Sequence, residues 1–419
     1  MADFSKLINE KDKAAKYMVD EITHICKDMP KRDPGSEGEK VACEYMAGVL
    51  EKDCGCEKVS VESFKENPGS FYGWLYITLT CALLGYISLF FIPIVGIILI
   101  FLGFVACFLQ FGFYKKAIDW MFPEKTGHNV TAIKKCTGEV KGRVFFNGHP
   151  DAAWNWPMNA LGGGLLFEGH AVIVILGALY FQALCIAATV YGFMVGVLTP
   201  AVTGPLNTIF WCGIGGAAFI PFILLLYRMW DKKTVVDGAN DNLTGCYMGI
   251  AVLKAMKDAG IELEHTEVGV ILTGSEEAGL RGAKAWCEAH KGEFEDVPTW
   301  IYSYDTIHDA KFLMVNYRDL NGTVKADKEI SDSFITAAKE LDILCKKGWV
   351  PPLGGATDSA AFAQAGFRAT GVTGLNHVLE SYYHTTKDTY TNLSEDGLAK
   401  CYAISVKCLE NFDNNINKA

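Results

Sequence analysis

Two long, almost uncharged stretches constrain the fold of this chain more than any other feature. Residues 67–114 contain no Asp, Glu, Lys or Arg, and within 169–228 only the final Arg228 is charged. A membrane-spanning helix needs about 20 mostly apolar residues, whereas buried apolar runs in soluble domains are usually about 10 to 14 residues long. Each stretch is long enough for two such helices, with turns near Pro93 and near Pro200. We therefore predict four transmembrane helices in two hairpins with these bounds.

The rest of the chain is predicted to form one polar domain. Each hairpin would leave and return on the same side of the bilayer, so residues 1–66, 115–168 and 229–419 can fold together. Basic residues flank the hairpins only on the side of this domain, whereas the loops between the spans are uncharged. Positive charge marks the cytoplasmic side of membrane proteins, so we expect the polar domain in the cytoplasm. The flanking basic residues are Lys115, Lys116, Arg228, Lys232 and Lys233.

The composition of the chain argues against one class of partner and indicates the compartment of this domain. The formal net charge of -10 and the lack of a basic run argue against nucleic acid. The 14 cysteines show no spacing typical of zinc fingers or secreted disulfide frameworks, which indicates free thiols in a reducing compartment. The predicted partners are therefore a lipid bilayer and a substrate, and nothing in the sequence indicates an oligomeric state.

The polar domain has the pattern of an α/β fold. Helical periodicity covers about residues 8–28 and 36–52, and short β-rich runs such as GRVFFNG, EVGVILTG and TWIYSY follow. Helical stretches separate or follow these runs, for example GLRGAKAWCEAHKG. This alternation predicts a mixed, mostly parallel central sheet flanked by helices.

Acidic and imidazole side chains follow three of the strand-like runs. His149 comes directly after RVFFNG, Glu276 and Glu277 come just after VGVILTG, and Asp305 follows WIYSY. Ligand sites in open α/β sheets form at the carboxyl ends of the strands. We therefore expect these segments to converge.

Two further motifs supply side chains of the same kinds. Asp241 lies in GANDN before a helical run, and His384 lies in YHTTKD. Each motif has an ordinary structural explanation, such as a helix N-cap for Asp241. Together, however, two imidazoles and several carboxylates can clamp two divalent ions. In HPD, Asp151 can hold the ring of His149 in one tautomer, as carboxylates behind metal ligands do.

The order of these motifs, HxD, GAxDN, EE, D and YHTxxDT, resembles the M28 family of zinc metallopeptidases, of the bacterial leucyl aminopeptidase type. The resemblance extends to RDPGSEGEKVACEYM, to GLRGAKAW and to GGATDSAAF, in which Asp358 occupies a family position without an assigned role. It covers the polar domain and neither hairpin. A zinc-exopeptidase-like fold and a peptide substrate are what it implies.

The resemblance also implies a role for each site residue. Two zinc ions would be bound, with Co²⁺ or Mn²⁺ as possible substitutes. Glu276 would act as general base on the metal-bridging water, and Tyr383 would donate a hydrogen bond to the oxyanion. Asp151 would orient a ligand. The implied ligands are His149 and Asp305 for one ion, Glu277 and His384 for the other, and Asp241 as the bridge.

One departure from the family pattern suggests where the substrate lies. The family joins HxD and GAxDN by a short loop, whereas here the second hairpin separates His149 from Asp241. This insertion should place the third and fourth spans near the metal site, with WNWPMN and LGGGLL at the interface. We therefore expect a membrane-proximal peptide as substrate.

Other functions are open on the same residues. Carboxypeptidases and dipeptidases share related metal sites, and the fold also supports glutaminyl cyclases, which usually use one zinc. A non-catalytic membrane scaffold or receptor would normally have lost ligands, and this chain retains the whole set. A transporter is disfavoured because the predicted spans have no charged residue for ion coupling. The sequence thus favours a membrane-anchored di-zinc aminopeptidase.

Overall fold

A central sheet organises the polar part of the chain. The computed structural model describes residues 3–197, 199–200, 204–376, 378 and 380–418. Within these residues, nine strands form one sheet and two short strands form another. The large sheet contains β1 (Lys58–Glu66), β2 (Lys125–Lys134), β3 (Gly142–Gly148), β6 (Thr266–Thr273), β7 (Thr299–Asp305), β8 (Met314–Asp319), β9 (Val324–Lys325), β10 (Lys346–Trp349) and β11 (Ala369–Thr373), and the small sheet pairs β4 (Trp154–Asn155) with β5 (Asp231–Val235).

The middle of the large sheet is parallel. The strand order is β1-β2-β6-β3-β7-β11-β8-β10, with β9 beside β8. Strands β6, β3, β7 and β11 run in the same direction, and Phe146 of β3 pairs with Val270 of β6 and Tyr302 of β7. Antiparallel pairs occur towards both edges. The predicted mixed sheet with a parallel centre is therefore confirmed.

Helices cover both faces of this sheet. Successive residues of β3 point to opposite faces of the sheet. Phe146 therefore packs in the larger core, beneath α2 (Lys11–Asp28), α9 (Thr244–Ala259) and α13 (Glu395–Ile416). Phe145 packs on the other face, in a second core with Trp286 and Phe362. A sheet buried on both faces needs the continuous apolar strands that the sequence supplies. In chain order the helices are α1 (Ser5–Asn9), α2 (Lys11–Asp28), α3 (Glu37–Lys52), α4 (Gly69–Leu89), α5 (Pro93–Cys107), α6 (Pro157–Val195), α7 (Pro205–Gly216), α8 (Ile220–Leu226), α9 (Thr244–Ala259), α10 (Arg281–Ala289), α11 (Lys328–Glu340), α12 (Asp358–Gln364) and α13 (Glu395–Ile416).

Four apolar helical segments project from the sheet domain. The segments 69–89, 93–112, 157–195 and 205–226 are long and apolar enough to cross a membrane, judged by length and composition. Helix α6 begins at Pro157, earlier than the predicted hairpin bound at residue 169, because proline is favoured in the first turn of a helix. Residues 198 and 201–203, in the predicted turn near Pro200, lie outside the described residues.

The apolar helices pack on one another through small residues. A Cβ atom on Gly96 of α5 would lie 2.7 Å from the carbonyl oxygen of Gly85 in α4 and 2.6 Å from Sγ of Cys185 in α6. The Tyr86 hydroxyl donates a hydrogen bond to the carbonyl oxygen of Gly213 at 2.9 Å. Close backbone contact at small residues and a few interhelical hydrogen bonds are typical of helix packing in lipid. Large apolar side chains such as Phe101 cover the outer surface.

Candidate metal centre

Three adjacent parallel strands bring together side chains from distant parts of the chain. His149 follows β3, Glu276 and Glu277 lie just after β6, and Asp305 is the last residue of β7. Because β6, β3 and β7 are neighbours and run in the same direction, their carboxyl ends meet at one edge of the sheet. The GANDN loop before α9 brings Asp241 to the same edge.

The two histidines face one carboxylate from opposite sides. Asp241 Oδ1 lies 3.3 Å from His149 Nε2, and Asp241 Oδ2 lies 3.0 Å from His384 Nε2. His384 Nε2 also lies 3.0 Å from Glu277 Oε1, while His149 Nε2 lies 3.9 Å from Glu276 Oε2. A carboxylate between two imidazoles is placed to bridge two ions, the position predicted for Asp241.

The donor atoms of this cluster are suited to metal ions. His149 Nε2, Asp241 Oδ2 and Glu277 Oε1 are buried and lack a partner with hydrogen-bond geometry, although they lie close to one another. Buried polar atoms without partners are costly, and a cation at their point of convergence removes that cost. Imidazole nitrogen and carboxylate oxygen are common zinc ligands. Their atoms form two groups, each within 4.8 Å: His149, Glu276 and Asp305, and Asp241, Glu277 and His384.

The charges of the cluster are compatible with a bound cation. Burial and the neighbouring Asp241 carboxylate raise the pKa of Asp305 to about 8. Burial opposes the charged form of His384, but the carboxylates of Glu277 and Asp241 raise its pKa to about 10. Both shifts come from several carboxylates confined in a small buried volume. Divalent ions stabilise such a set in its ionised form.

Asp151 supports both a histidine and the glutamate turn. Its carboxylate accepts hydrogen bonds from the backbone N–H groups of Glu276 at 3.1 Å and Glu277 at 3.0 Å. Its Oδ1 atom also lies 3.2 Å from His149 Nδ1. The Asp151 carboxylate therefore lies beside the His149 ring that it is predicted to orient, but Nδ1 of His149 has no partner with hydrogen-bond geometry. The contact with the turn is additional.

Asp388 holds the loop that carries Asp241, a role that the sequence did not predict. Its carboxylate accepts hydrogen bonds from the backbone N–H and side-chain amide of Asn240 at 2.8 and 2.9 Å, and from the N–H of Asp241 at 3.1 Å. It thereby fixes the loop that carries the bridging carboxylate. Asp388 ends the HTTKD run after His384, so the motif itself carried a signal, but its partner lies in a loop 147 residues away.

Asp358 lies behind the site and is not among the ligand groups. Its Oδ2 atom accepts a hydrogen bond from the Thr273 hydroxyl at 2.5 Å, at the end of β6. Asn147 donates to the same hydroxyl at 2.8 Å, which links β3 to this contact. Burial raises the pKa of Asp358 to about 7. The residue to which the sequence assigned no role therefore braces the strand that carries the two glutamates.

Aromatic rings form a wall beside His384. The Tyr383 ring stacks on the His384 ring at a centroid distance of 4.1 Å, and the Trp156 ring meets it edge-on at 4.3 Å. Burial and the carboxylates of Asp241 and Asp305 raise the pKa of Tyr383 well above its ordinary value, so its phenol stays protonated. Tyr383 therefore lies next to His384 with a protonated phenol.

Both apolar hairpins contact the site. Phe71 of α4 packs on Gly279, whose φ of +95° and lack of a Cβ allow the chain to turn after the glutamates. Directly before α6, the backbone N–H of Trp156 donates a hydrogen bond to the His384 carbonyl oxygen at 2.7 Å. Asn159 donates to the Tyr383 carbonyl oxygen at 2.7 Å. The expected proximity of WNWPMN to the site is therefore observed.

Known structures share this fold at low sequence identity. An aminopeptidase from Aneurinibacillus sp. strain AM-1 is 14% identical with a TM-score of 0.56, covering 96% of this chain and 95% of its own. A zinc aminopeptidase from Bacillus subtilis is 12% identical with a TM-score of 0.55, covering 95% of both chains. A glutaminyl cyclase from an Acidobacteriales bacterium is 12% identical with a TM-score of 0.53, covering 97% of this chain and 95% of its own.

A protein-family model matches part of this sequence. The comparison with curated proteins gives no match. The model of peptidase family M28 matches residues 223–409, which include Asp241, Glu276, Glu277, Asp305 and His384. His149 lies outside the matched range, and the fold brings it to the same cluster. Residues 223–409 are thus similar to peptidase family M28, and the solved structures show that the chain shares its fold with zinc aminopeptidases and a glutaminyl cyclase.

Proposed function

We propose that this protein is a membrane-anchored di-zinc aminopeptidase. The observation that carries the proposal is the buried cluster of unpaired imidazole and carboxylate atoms around Asp241. The proposed ligands are those implied by the sequence: His149 and Asp305 for one ion, Glu277 and His384 for the other, and Asp241 between them. Bound zinc would polarise the peptide carbonyl and make a water molecule acidic enough to be deprotonated near neutral pH.

Glu276 is the proposed general base. It belongs to the same turn as the ligand Glu277, and Asp151 fixes the backbone of both. Burial raises the pKa of Glu276 well above its ordinary value, which favours a carboxylate that accepts a proton and returns it to the leaving amine. The phenol of Tyr383 would donate a hydrogen bond to the developing oxyanion.

Removal of metal is expected to abolish turnover. Chelator-treated protein in detergent should stop releasing N-terminal residues from a peptide panel, and added Zn²⁺ should restore release. Its melting temperature should also fall, because ligands that bind only the folded state stabilise it. Peptides blocked at the N-terminus serve as controls, since an aminopeptidase requires a free amine.

The same assay separates the alternative functions. A peptide with N-terminal glutamine should lose free glutamine, whereas a glutaminyl cyclase would release ammonia and leave the rest of the chain intact. Release from the C-terminus would instead indicate a carboxypeptidase. Intact peptides from a protein that retains zinc would contradict the peptidase proposal and favour a scaffold.

We also propose that the four apolar segments span a membrane, with the polar domain in the cytoplasm. Exposed basic residues lie where the hairpins join the sheet domain, including Lys115, Arg228 and Lys232. This arrangement supports a cytoplasmic domain by the positive-inside rule. Protease added to intact cells should leave the polar domain uncut, and protease added to inside-out vesicles should digest it. Digestion in intact cells would reverse the proposed orientation.

A further inference from the structure

Helix α6 is too long to lie wholly within a membrane. It has 39 residues with a break at Gly163, and the part from residue 164 to 195 alone corresponds to about 48 Å, whereas the hydrocarbon core of a bilayer is about 30 Å thick. Among the Asp, Glu, Lys and Arg residues, only Glu168 occurs in this helix. The apolar run after Glu168 is itself long enough to span a bilayer. The first part, residues 157–167, therefore extends beyond the hydrocarbon core to the sheet domain. We refer to residues 157–167 as the bridging segment.

The three leucines of the bridging segment are apolar but not covered by protein. Leu161 and Leu165 are each 83% exposed, and Leu166 is also exposed. Gly163, with φ of 61°, interrupts the helix between the first two leucines. Exposed leucines beside a membrane-spanning helix are favourable where lipid or another apolar chain covers them.

The bridging segment is fixed to the loop that carries His384. Asn159 donates hydrogen bonds to the carbonyl oxygens of Glu380 and Tyr383, at 3.1 and 2.7 Å. Lys387 donates to the carbonyl oxygen of Ala160 at 2.8 Å. The exposed leucines therefore have a defined position relative to the metal ligands.

Aromatic side chains join the bridging segment to the metal centre. Phe167 stacks on Trp156 at a centroid distance of 4.8 Å with 19° between the ring planes. Trp156 in turn contacts His384 edge-on at 4.3 Å. Phe167, which follows Leu165 and Leu166 in the chain, thus connects the bridging segment through Trp156 to a proposed metal ligand.

We propose that the bridging segment receives peptides held in the bilayer by an apolar segment and leads their free N-termini to the metal centre. This inference rests on the proposed aminopeptidase function. The occupant is a membrane-inserted peptide because the path begins at exposed leucines continuous with a candidate span and ends beside His384. A water-soluble peptide has no need of that apolar approach.

The test compares two peptides with the same N-terminal residues, one of which continues into a C-terminal apolar segment of about 20 residues. Enzyme in lipid vesicles is given either peptide, and kcat/KM is measured for each. The double variant L161A/L165A should lower kcat/KM for the inserted peptide about tenfold more than for the soluble peptide, since each change removes apolar contact area. An unchanged ratio of the two values would overturn the inference.

A matched control lies on the same helix. Leu176 and Leu179 are 55% and 49% exposed within the membrane-spanning part of α6, so L176A/L179A removes the same groups at a distance from the site. This control should leave the ratio of the two kcat/KM values unaltered. An equal change of the ratio in both variants would indicate a general effect on lipid contact and overturn the inference.

A binding measurement separates this inference from the proposed function. The Glu276→Gln variant, with a photoreactive amino acid at position 161, is mixed with the inserted peptide in vesicles. Cross-linking near the N-terminus of the peptide would support the path. If the native protein then cleaves no peptide, only the aminopeptidase proposal fails. Cross-linking to lipid alone would overturn the path while leaving cleavage of soluble peptides as a test of the proposed function.

Discussion

Replacement of Glu276 by glutamine is expected to lower kcat by about 10²- to 10⁴-fold, the range typical of a lost general base. Glutamine keeps the shape of the side chain but cannot accept the proton. The Asp151 contacts use the backbone N–H groups of the turn, so the variant should keep its fold and its metal. The measurement is kcat for N-terminal release together with zinc content per chain.

The neighbouring residue provides the matched control. Glu277→Gln changes the same chemical group one position away, at a side chain that lies 3.0 Å from His384 Nε2. Because Glu277 is a proposed ligand, this variant should lose zinc as well as activity. The roles would be reversed if Glu276→Gln lost metal and Glu277→Gln retained it.

A second large effect is expected at a buried ion pair between Asp119, just after the first hairpin, and Arg281, just after the glutamate turn. Arg281, in the first turn of α10, donates a hydrogen bond to Asp119 Oδ1 at 2.8 Å. Ser70 of α4 and Gln110 at the end of the second apolar segment donate to the same oxygen, at 2.7 and 3.0 Å. All four side chains are buried. The helix that follows Glu276 and Glu277 is therefore fixed to both arms of the hairpin.

Asp119→Ala is expected to reduce the free energy of unfolding by about 3 to 5 kcal/mol, because it leaves the Arg281 guanidinium buried without its counter-charge. Nε and Nη1 of Arg281 already lack hydrogen-bond partners, and without Asp119 the guanidinium retains only Ser70 Oγ at 3.3 Å and the field of the Glu66 carboxylate. The double variant D119A/R281M should be less destabilised than the sum of the two single variants, since neither charge is then left alone. Thermal and denaturant unfolding in detergent measure these differences.

An exposed ion pair provides the comparison. Arg143 Nη1 lies 2.6 Å from Asp296 Oδ1, and the Asp296 side chain is 62% exposed. Asp296→Ala should cost less than about 1 kcal/mol because solvent screens such pairs. Equal losses for Asp119→Ala and Asp296→Ala would show that the buried pair does not hold the hairpin to the glutamate turn.

The local order of the sequence was sufficient to predict the framework of the fold. Apolar runs such as GRVFFNG become the central parallel strands because residues that are buried on both faces must be apolar throughout. The predicted ligands on the sheet follow the same pattern: His149, Glu277 and Asp305 come at or just after the ends of strands, and neighbouring parallel strands end at one edge. Residue type and chain position contain this information without knowledge of distant contacts.

The supporting contacts depend on pairs that are far apart in the chain. Asp388 reaches the Asp241 loop, and Asp119 meets Arg281 162 residues later. A carboxylate within a motif or after a hairpin has many possible partners, and only packing selects one. The same holds for Trp156, which sequence places beside a hairpin but whose contacts with the rings of His384 and Phe167 only the tertiary structure shows. Sequence by itself therefore determined which groups can bind metal and which segments are apolar, because these are properties of single residues and short runs. The folded chain decided which of these groups and segments contact one another.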